Sequence, residues 1–267
     1  MQTPVYAQIE VTTICNFDCY YCAGRDMEQR HMEMDVFARI LTRFAPFTGM
    51  TVSLQGEGEP TLHPAFWDMA RAVRNHGLRA YTITNGSRVD AAQFASSLHS
   101  VGVSVDSLDA DEARRIGRYN LPKVLANLES LVQAMGPMRV TVHSVNYGQD
   151  IEPLRAYVRS LGVQRHIVQR LQAKDDYVRS YSDKTRQPGD AAAQPIVFAP
   201  RRAMPMLERY SCSFLDTPRM RYYDIDGTEM PCCYIKDTTV YTSIDDLRQT
   251  LSLRQVPAAC AGCRELR

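Results

Sequence analysis

The sequence predicts an α/β protein whose first part is a six-unit βα barrel and whose last part is a small separate domain. Three observations support this fold class. Strand-like and helix-like stretches alternate along residues 1–172, the alternation ends near residue 173, and eight cysteines fall into one N-terminal and one C-terminal group. Strict alternation implies right-handed βαβ units and a parallel sheet. Six units favour a partial (βα)6 TIM-like barrel over a closed eight-stranded one, with ligands at the carboxyl ends of the strands.

Stretches rich in β-branched residues predict the strands, and stretches with apolar residues at helical spacing predict the helices. The predicted strands are 5–12, 51–56, 79–86, 101–107, 139–145 and 165–172. The predicted helices between them are 34–44, 65–77, 90–100, 121–135 and 151–162. Gly77 ends the second of these helices, a position that glycine often takes.

The alternating pattern ends at a polar segment, residues 173–209, which contains Pro and Gly and is too long for an ordinary connection. We expect it to be either a linker or a lid over the barrel mouth. Residues 210–267 form the predicted small domain, so the predicted domains are 1–172, 173–209 and 210–267. Within the last one, Asp226-Gly227 predicts the turn of a β-hairpin, and Ser243 is expected to cap a short helix.

The composition limits the classes of partner. The chain has 267 residues, a formal net charge of +1 and 45% hydrophobic residues. A nearly neutral chain has no general attraction to nucleic acid or to anionic membranes. We find no apolar run of about 18 residues and no basic-then-apolar signal segment. We therefore expect a cytoplasmic protein that binds neither nucleic acid nor membranes.

Cys15, Cys19 and Cys22 lie in the loop after the first predicted strand. Disulfides are not expected, because disulfide-dense proteins are short secreted chains. Thiolates are soft ligands that suit iron–sulfur clusters or zinc. A structural zinc site would need a fourth protein ligand, and His31 is the only local candidate. Three thiolates on a four-iron cluster would instead leave one iron open to a small molecule.

The spacing CxxxCxxC, with Tyr21 before the last cysteine, opens the first loop of the predicted barrel and resembles the radical S-adenosylmethionine (SAM) superfamily. The resemblance implies a [4Fe–4S] cluster on Cys15, Cys19 and Cys22, with SAM bound at the fourth iron and Tyr21 beside the cofactor. It also implies cleavage of SAM to a 5′-deoxyadenosyl radical that removes a hydrogen atom from the substrate. The reaction would require an electron donor such as flavodoxin or ferredoxin.

The turn after the second predicted strand has the sequence LQGEGEP. It resembles the GGEP element of the same superfamily, which binds the amino group of SAM. The resemblance assigns cofactor binding to Gly58, Glu59 and Pro60. Glu57 stands where the family has its first glycine, so the backbone geometry at that residue is left open.

Polar residues of the later strands are further candidates. Ser104 and Asp106 alternate on the fourth predicted strand and therefore face one side, where members of the family contact the SAM ribose. Arg118 resembles an arginine that pairs with the SAM carboxylate, and His143 is a candidate cofactor contact on the fifth strand. Arg170, on the sixth strand, would point either into the barrel mouth at a polar substrate or outward at the sheet edge.

The C-terminal cysteines predict a second metal site. Cys212, Cys232, Cys260 and Cys263 supply four thiolates, which is enough for a closed zinc or iron–sulfur site. In the context of the N-terminal motif the pattern resembles the twitch domain, a short form of the SPASM domain. That resemblance implies one auxiliary [4Fe–4S] cluster, and with it two clusters in the protein.

Cys233 is left over from this set of four. It is interpreted either as a small residue beside a ligand, as a ligand in place of Cys232, or as a hydrogen donor. Some radical SAM epimerases use a cysteine thiol in this last way to quench the substrate radical.

The resemblance implies a radical SAM enzyme that acts on a small polar molecule such as a sugar or aminocyclitol. The expected reaction is oxidation of an alcohol, as in aminocyclitol dehydrogenases, with the auxiliary cluster exchanging an electron with the substrate radical. Epimerisation is expected instead if Cys233 donates hydrogen. The alternative is a maturase of a ribosomal peptide, and a more remote one is a non-catalytic zinc-binding adaptor. Natural-product biosynthesis is the expected setting.

Overall fold

The computed structural model of the protein describes residues 4–23, 27–172, 210–216 and 219–267. The predicted linker or lid over 173–209 lies outside the described residues. The strands are β1 (Tyr6–Ile9), β2 (Thr51–Leu54), β3 (Arg79–Thr84), β4 (Ser100–Ser104), β5 (Val140–Asn146), β6 (Arg165–Arg170), β7 (Met220–Tyr223) and β8 (Glu229–Met230). The helices are α1 (Met34–Thr42), α2 (Phe66–Asn75), α3 (Ala91–Ser97), α4 (Ala110–Arg115), α5 (Leu121–Met135), α6 (Glu152–Ser160) and α7 (Ile244–Ser252).

The described strands form one sheet in the order β6-β5-β4-β3-β2-β1-β7-β8. Strands β1 to β6 are parallel and lie in chain order, each joined to the next through at least one helix. The sheet does not close, because β6 stands at one edge and β8 at the other. The predicted partial α/β barrel is therefore confirmed.

The hairpin of the C-terminal region extends this sheet, which the sequence did not predict. β7 runs parallel to β1, with Tyr6 opposite Met220 and Ile9 opposite Tyr223. β8 then pairs antiparallel to β7, and Gly227 (φ 82°) lies in the turn as expected. The boundary of the C-terminal domain stays a prediction, because its first strand belongs to the barrel sheet.

The two faces of the sheet differ in polarity. Ala7, Ile9 and Val11 are fully buried against the layer that contains α1 and α2. Successive residues of a strand point to opposite faces, so Gln8 and Glu10 point into the barrel. The apolar outer face stabilises the fold by burial under the helices, and the inner face is left for polar side chains.

The C-terminal region has an apolar core of its own, which includes Leu215, Met230, Leu247 and Leu251. Ser243 caps α7 as predicted, because its Oγ accepts a hydrogen bond from the backbone N–H of Asp246 at 3.0 Å. No described helix has both the length and the apolar character that crossing a membrane requires.

Gly58 tests the contact between the end of β2 and the segment after β1. A Cβ at Gly58 would lie 2.5 Å from both the Thr12 and the Ile14 carbonyl oxygens, which no rotamer change can relieve. We expect Gly58→Ala to lower the free energy of unfolding by about 3 kcal/mol, measured by denaturant titration of the apoprotein.

Gly49→Ala is the control for this measurement. Gly49 has a φ of 70° but open space around it. Gly49→Ala should lower the free energy of unfolding by only about 1 kcal/mol, because alanine disfavours the left-handed backbone conformation. Equal losses for the two variants would contradict the importance of the close approach at Gly58.

Candidate active site

The cysteine loop between β1 and α1 is closed at its base by hydrogen bonds. Thr12 forms an antiparallel bridge with His31. The Oγ1 of Thr13 donates to the Glu28 carbonyl at 2.6 Å and accepts from the Arg30 N–H at 2.8 Å. These contacts keep the two ends of the loop together at the carboxyl end of the barrel, where the sequence predicted the site.

Two of the loop cysteines lie close together and are partly buried. Burial raises the pKa of both Cys15 and Cys19, and the neighbouring Arg118 charge opposes that rise at Cys19. The Phe17 N–H donates to the Cys15 Sγ at 3.4 Å. Cys22 follows on a turn in which its N–H donates to the Cys19 carbonyl at 3.1 Å.

These residues fit an iron–sulfur cluster. All eight cysteines of the chain are free thiols, and N–H groups directed at a ligand sulfur stabilise such clusters. In the described ranges, no group of three or more His, Cys, Asp or Glu side chains is arranged to hold a metal ion. That finding concerns single ions, because the thiolates of a four-iron cluster bind different irons.

The Gly58–Pro60 turn backs the cysteine loop with its main chain. Gly58 N–H donates to the Thr12 carbonyl at 3.1 Å, and Glu59 N–H donates to the Ile14 carbonyl at 2.8 Å. Pro60 begins a 3-10 helix that Glu59 caps. The turn thus makes its close main-chain contact with the cysteine loop itself.

The carboxylate of Glu59 is buried and bound by protein groups. It accepts hydrogen bonds from Thr61 Oγ1 at 2.7 Å, from Thr84 Oγ1 at 2.7 Å and from Asn85 N–H at 2.6 Å. Burial raises the pKa of Glu59, and these hydrogen bonds oppose the rise. Glu59 therefore joins the ends of β2 and β3, and its predicted contact with the SAM amino group stays a prediction.

Three of the predicted residues meet in one buried cluster. Asp106 accepts the Val145 N–H at 2.6 Å, and its other oxygen contacts both the Tyr21 hydroxyl and the Arg118 guanidinium. Arg118 also donates to Tyr21 Oη at 2.7 Å and to the Ser104 carbonyl at 3.1 Å. The charge of Arg118 is offset by Asp106, so its pairing with the SAM carboxylate stays a prediction.

A second glycine contact holds the loop from the other side. Gly117 has a φ of 82°, and a Cβ there would lie 2.2 Å from the Asp18 carbonyl oxygen. Asp18 N–H donates to the Gly117 carbonyl at 3.0 Å, and Tyr20 N–H donates to the Ile116 carbonyl at 3.3 Å. Sequence reasoning missed this turn, although a glycine beside Arg118 was a usable signal.

The barrel interior contains paired neutral polar groups. Tyr81 Oη and His143 Nε2 are hydrogen-bonded at 2.9 Å across β4, where only Gly102 leaves room for them. Gln55 donates to the Gln8 Oε1 at 3.0 Å. Apart from His143 these residues were missed, although strand alternation from Ser104 would have indicated them.

Arg170 does not belong to this interior. Arg170 lies opposite Asn146 of β5. Two residues earlier, on the same face of β6, Val168 lies opposite Ser144 and packs against the core under the helices. Arg170 is exposed on that face. Of the two predicted orientations, the outward one is observed.

Arg165 is the arginine of β6 whose charge faces the interior. It opposes Thr141 on β5, and its charge acts on both Tyr81 and His143. Arg165 could not be identified from the sequence, because a strand pattern shows which residues share a face and not which face is inside.

A buried ion network joins the barrel to the C-terminal region, and the sequence did not predict it. Lys236 Nζ lies 2.8 Å from Glu57 Oε1 and 3.9 Å from Glu10 Oε2. The two carboxylates raise the pKa of Lys236 against the opposing effect of burial. Glu57 in turn lies beside Cys22, whose Sγ is 3.5 Å from the Glu57 carbonyl oxygen and carboxylate.

The C-terminal cysteines lie together. Cys212, Cys232 and Cys260 are buried in one apolar core. In the turn that joins them, the Cys263 N–H donates to the Cys260 carbonyl at 3.1 Å. Cys263 also lies near Cys212 and contributes to the raised pKa of that thiol, which is caused mainly by burial. A bridge between Cys212 and Leu266 brings the two segments side by side. The four cysteines thus belong to neighbouring segments of the C-terminal region, and their role as metal ligands stays a prediction.

Cys233 lies where this region meets the barrel. It lies near Tyr6 of β1 and Tyr222 of β7, and it lines a cavity of about 180 Å³ together with Gln8 and Glu10. Burial raises the pKa of the Cys233 thiol well above its usual range. The residue therefore lies beside the inner face of β1 and β7, and its role as a hydrogen donor stays a prediction.

Comparison with known families identifies the protein's class. A model of the radical SAM superfamily matches residues 9–161, which is more than half of the chain. The chain belongs to the radical SAM superfamily. The resemblance inferred from Cys15, Cys19 and Cys22 is confirmed at this level, and SAM and one [4Fe–4S] cluster follow as the cofactors that the superfamily implies.

Two curated relatives are GTP 3′,8-cyclases. That of Marinobacter nauticus is 34% identical over 140 residues, covering 48% of this chain and 42% of the relative. That of Edwardsiella ictaluri is 30% identical over 190 residues, covering 65% of this chain and 57% of the relative. The chain therefore spans about half the length of these relatives.

Two solved structures share the fold over almost the whole chain. Streptococcus suis SuiB bound to S-adenosylmethionine has a TM-score of 0.66 at 15% identity and covers 97% of this chain and 67% of its own. BtrN in complex with AdoMet and 2-DOIA has a TM-score of 0.53 at 11% identity, and the match covers 95% of this chain and 89% of the BtrN chain. At such identities the likeness shows the fold alone.

His143 gives a prediction for pH dependence. Burial and the Arg165 charge lower the pKa of His143 from its usual 6.5 to about 4, so the folded protein holds this ring neutral where the unfolded chain protonates it. Its contribution to stability is complete above pH 6.5 and is lost as the pH falls towards 4. For the apoprotein, we expect His143→Gln to remove roughly 2–3 kcal/mol of the stability difference between pH 7.5 and 4.5 in urea titrations.

The exposed His76 at the end of α2 supplies the control for this titration. His76→Gln should retain the pH dependence of the wild-type protein. An unchanged pH dependence in His143→Gln would mean that the Tyr81–His143 pair does not hold a neutral ring.

Proposed function

We propose that the protein is a radical SAM oxidoreductase or epimerase that removes a hydrogen atom from carbon in a small, hydroxylated, non-anionic molecule. Oxidation of an alcohol is the first candidate reaction. The single observation that carries the substrate class is the barrel interior, in which the Tyr81–His143 and Gln8–Gln55 pairs present neutral hydrogen-bonding groups. The domain boundaries and a cytoplasmic location are parts of the same proposal.

The residues proposed for the SAM cluster are Cys15, Cys19 and Cys22. When bound, the cluster and SAM would supply the radical that starts the reaction. The protein's own residues orient this site: Gly58 and the Glu59 main chain support the first cysteine, and the cluster of Asp106, Tyr21 and Arg118 supports the last turn. Ser104 and Pro60 lie in the same two supports and complete the proposed cofactor contacts.

The charges of the interior support a substrate without phosphate groups. Arg118 is paired with Asp106, and Lys236 is shared by two carboxylates, Glu10 and Glu57. Neither cation is available in excess at the strand ends. Recognition of a triphosphate requires several unbalanced basic groups. In the described ranges Arg165 also faces the interior, which adds one basic group where a triphosphate requires several, so we propose a polyol or amino sugar in preference to the substrate of the GTP 3′,8-cyclases.

The proposed auxiliary cluster would be held by Cys212, Cys232, Cys260 and Cys263 in a twitch-like domain. Three of these thiols, Cys212, Cys232 and Cys260, are buried in one apolar core, which suits a closed site, and Cys263 is half-buried. A cluster in this place would accept an electron from the substrate radical in an oxidation. BtrN, solved with 2-DOIA, shares the fold over the same region and supports a small-molecule substrate by analogy.

A peptide is the second candidate substrate. SuiB has been solved bound to the precursor peptide SuiA, and its fold covers 98% of this chain. The neutral interior would also accept a polar peptide segment. In either case we propose flavodoxin or ferredoxin as the electron donor.

Metal analysis tests the cofactors directly. After anaerobic reconstitution we expect about eight iron and eight sulfide per chain, as two [4Fe–4S] clusters require. The variant with Ala at Cys15, Cys19 and Cys22 should keep about four iron and lose the formation of 5′-deoxyadenosine. Zinc without iron would overturn the enzymatic proposal in favour of a zinc-binding adaptor. Persistent 5′-deoxyadenosine formation in the variant would overturn the ligand assignment.

Cys233 separates oxidation from epimerisation. If its thiol donates hydrogen to the product radical, Cys233→Ala should still cleave SAM but should incorporate no deuterium from D₂O into the product. If the reaction is an oxidation, Cys233→Ala should keep the wild-type yield of ketone or aldehyde. Cys233→Ser is the matched control for side-chain size, and equal turnover of all three proteins would exclude the donor role.

A further inference from the structure

Lys236 is a largely buried lysine at the edge of the candidate site, where it contacts two carboxylates. Its side chain is 18% exposed, and its two partners, Glu57 and Glu10, have side chains that are 14% and 5% exposed. Glu10 follows β1, Glu57 follows β2, and Lys236 comes from the C-terminal region just after Cys233. The network therefore connects three separate parts of the chain at the edge of the cysteine loop.

Glu57 carries this network to the cysteine loop through contacts on both sides. Its N–H donates to Glu10 Oε1 at 3.1 Å, and its Oε1 lies 2.8 Å from Lys236 Nζ. Its carbonyl oxygen and its second carboxylate oxygen both lie 3.5 Å from the Cys22 Sγ. The position of the Glu57 side chain and main chain is thus set by Lys236 and Glu10, and Cys22 rests against it.

We infer that Lys236 is a positioning residue of the cysteine loop: through Glu57 it holds the Cys22 end of the loop, so the C-terminal region completes the site on the barrel. The inference concerns the fold of this chain and stands apart from the choice of substrate. Only the measurement of iron retention depends on the proposed cluster.

Removal of the ammonium group would leave two carboxylates close to each other and out of water. Breaking a buried ion pair on one side is strongly destabilising, because the remaining charge keeps no compensating partner. Glu57 would then move towards solvent, and the support behind Cys22 would be lost. Burial raises the pKa of Glu10 and the Lys236 charge opposes that rise, so loss of Lys236 would disfavour the charged carboxylate further.

A second ion pair between the same two parts of the chain provides a control. Arg30 binds Asp226 of the hairpin turn with two hydrogen bonds of 2.6 Å. These side chains are 38% and 59% exposed, and exposed pairs contribute little to stability. Arg30→Gln therefore removes a contact between the barrel and the C-terminal region without leaving a buried charge.

Hydrogen–deuterium exchange of the full-length apoprotein tests the inference. We expect Lys236→Met to raise the exchange rates of amides at 19–23 by about tenfold, as local opening after loss of a buried partner predicts. Lys236→Arg should stay close to the wild-type rates, and so should Arg30→Gln. Wild-type rates in Lys236→Met, or an equal rise in Arg30→Gln, would overturn the inference.

The double variant Glu57→Gln/Lys236→Met keeps the test decisive if Lys236→Met unfolds completely. Neutralising Glu57 removes one of the two unpaired carboxylates and its repulsion with Glu10, so the double variant should recover stability and exchange more slowly at 19–23 than Lys236→Met. No recovery in the double variant would overturn the role of the Lys236–Glu57 pair.

Iron retention is the second measurement. From reconstituted protein, Lys236→Met should lose iron to a chelator faster than Arg30→Gln does, because the Cys22 end of the loop is less well held. The exchange measurement needs no metal, so a failure of the proposed cluster assignment would leave its result intact. Equal iron loss together with raised amide exchange would overturn the link between Lys236 and the cluster ligand.

Discussion

Main-chain contact between the turn after β2 and the beginning of the cysteine loop is the constraint on which the candidate site depends. The N–H groups of Gly58 and Glu59 donate to the carbonyls of Thr12 and Ile14, at a separation that leaves no space for a side chain at Gly58. Gly117 contacts the loop in the same way on its other side. The first cysteines are therefore positioned by backbone geometry, which surrounding side chains cannot replace.

Around this frame, the buried cations described at the strand ends are paired with carboxylates, and the buried Glu59 carboxylate is held by hydrogen bonds instead. Asp106 balances Arg118, and Glu10 and Glu57 balance Lys236. A buried charge is tolerated only when paired and hydrogen-bonded, so these groups stabilise particular arrangements of loops. The interior lower in the barrel then contains the neutral Tyr81–His143 and Gln8–Gln55 pairs together with Arg165, and our proposal of a hydroxylated substrate rests on these groups.

Much of the barrel could be predicted because its elements have a strong local period. Helix α5 has the predicted bounds, Leu121–Met135, since its apolar positions repeat over four turns. Helix α4 was not predicted, because six residues carry too short a pattern. The hairpin around Gly227 was predicted, but its place beside β1 was not, since residues that form a strand do not encode which edge they join. The outward orientation of Arg170 was left open for the same reason.

The sequence by itself determined the chemistry of the cysteine loop. Cys15, Cys19 and Cys22 lie within one short segment, so their spacing along the chain does not depend on how the rest of the protein folds. The four C-terminal thiols were likewise recognisable as one set. Only the tertiary structure decided that Lys236 meets Glu57 and that the C-terminal hairpin continues the barrel sheet. Those contacts join residues far apart in the chain, and their energy comes from burial and charge pairing after the sheet has formed, which leaves no periodic or local signal in the sequence.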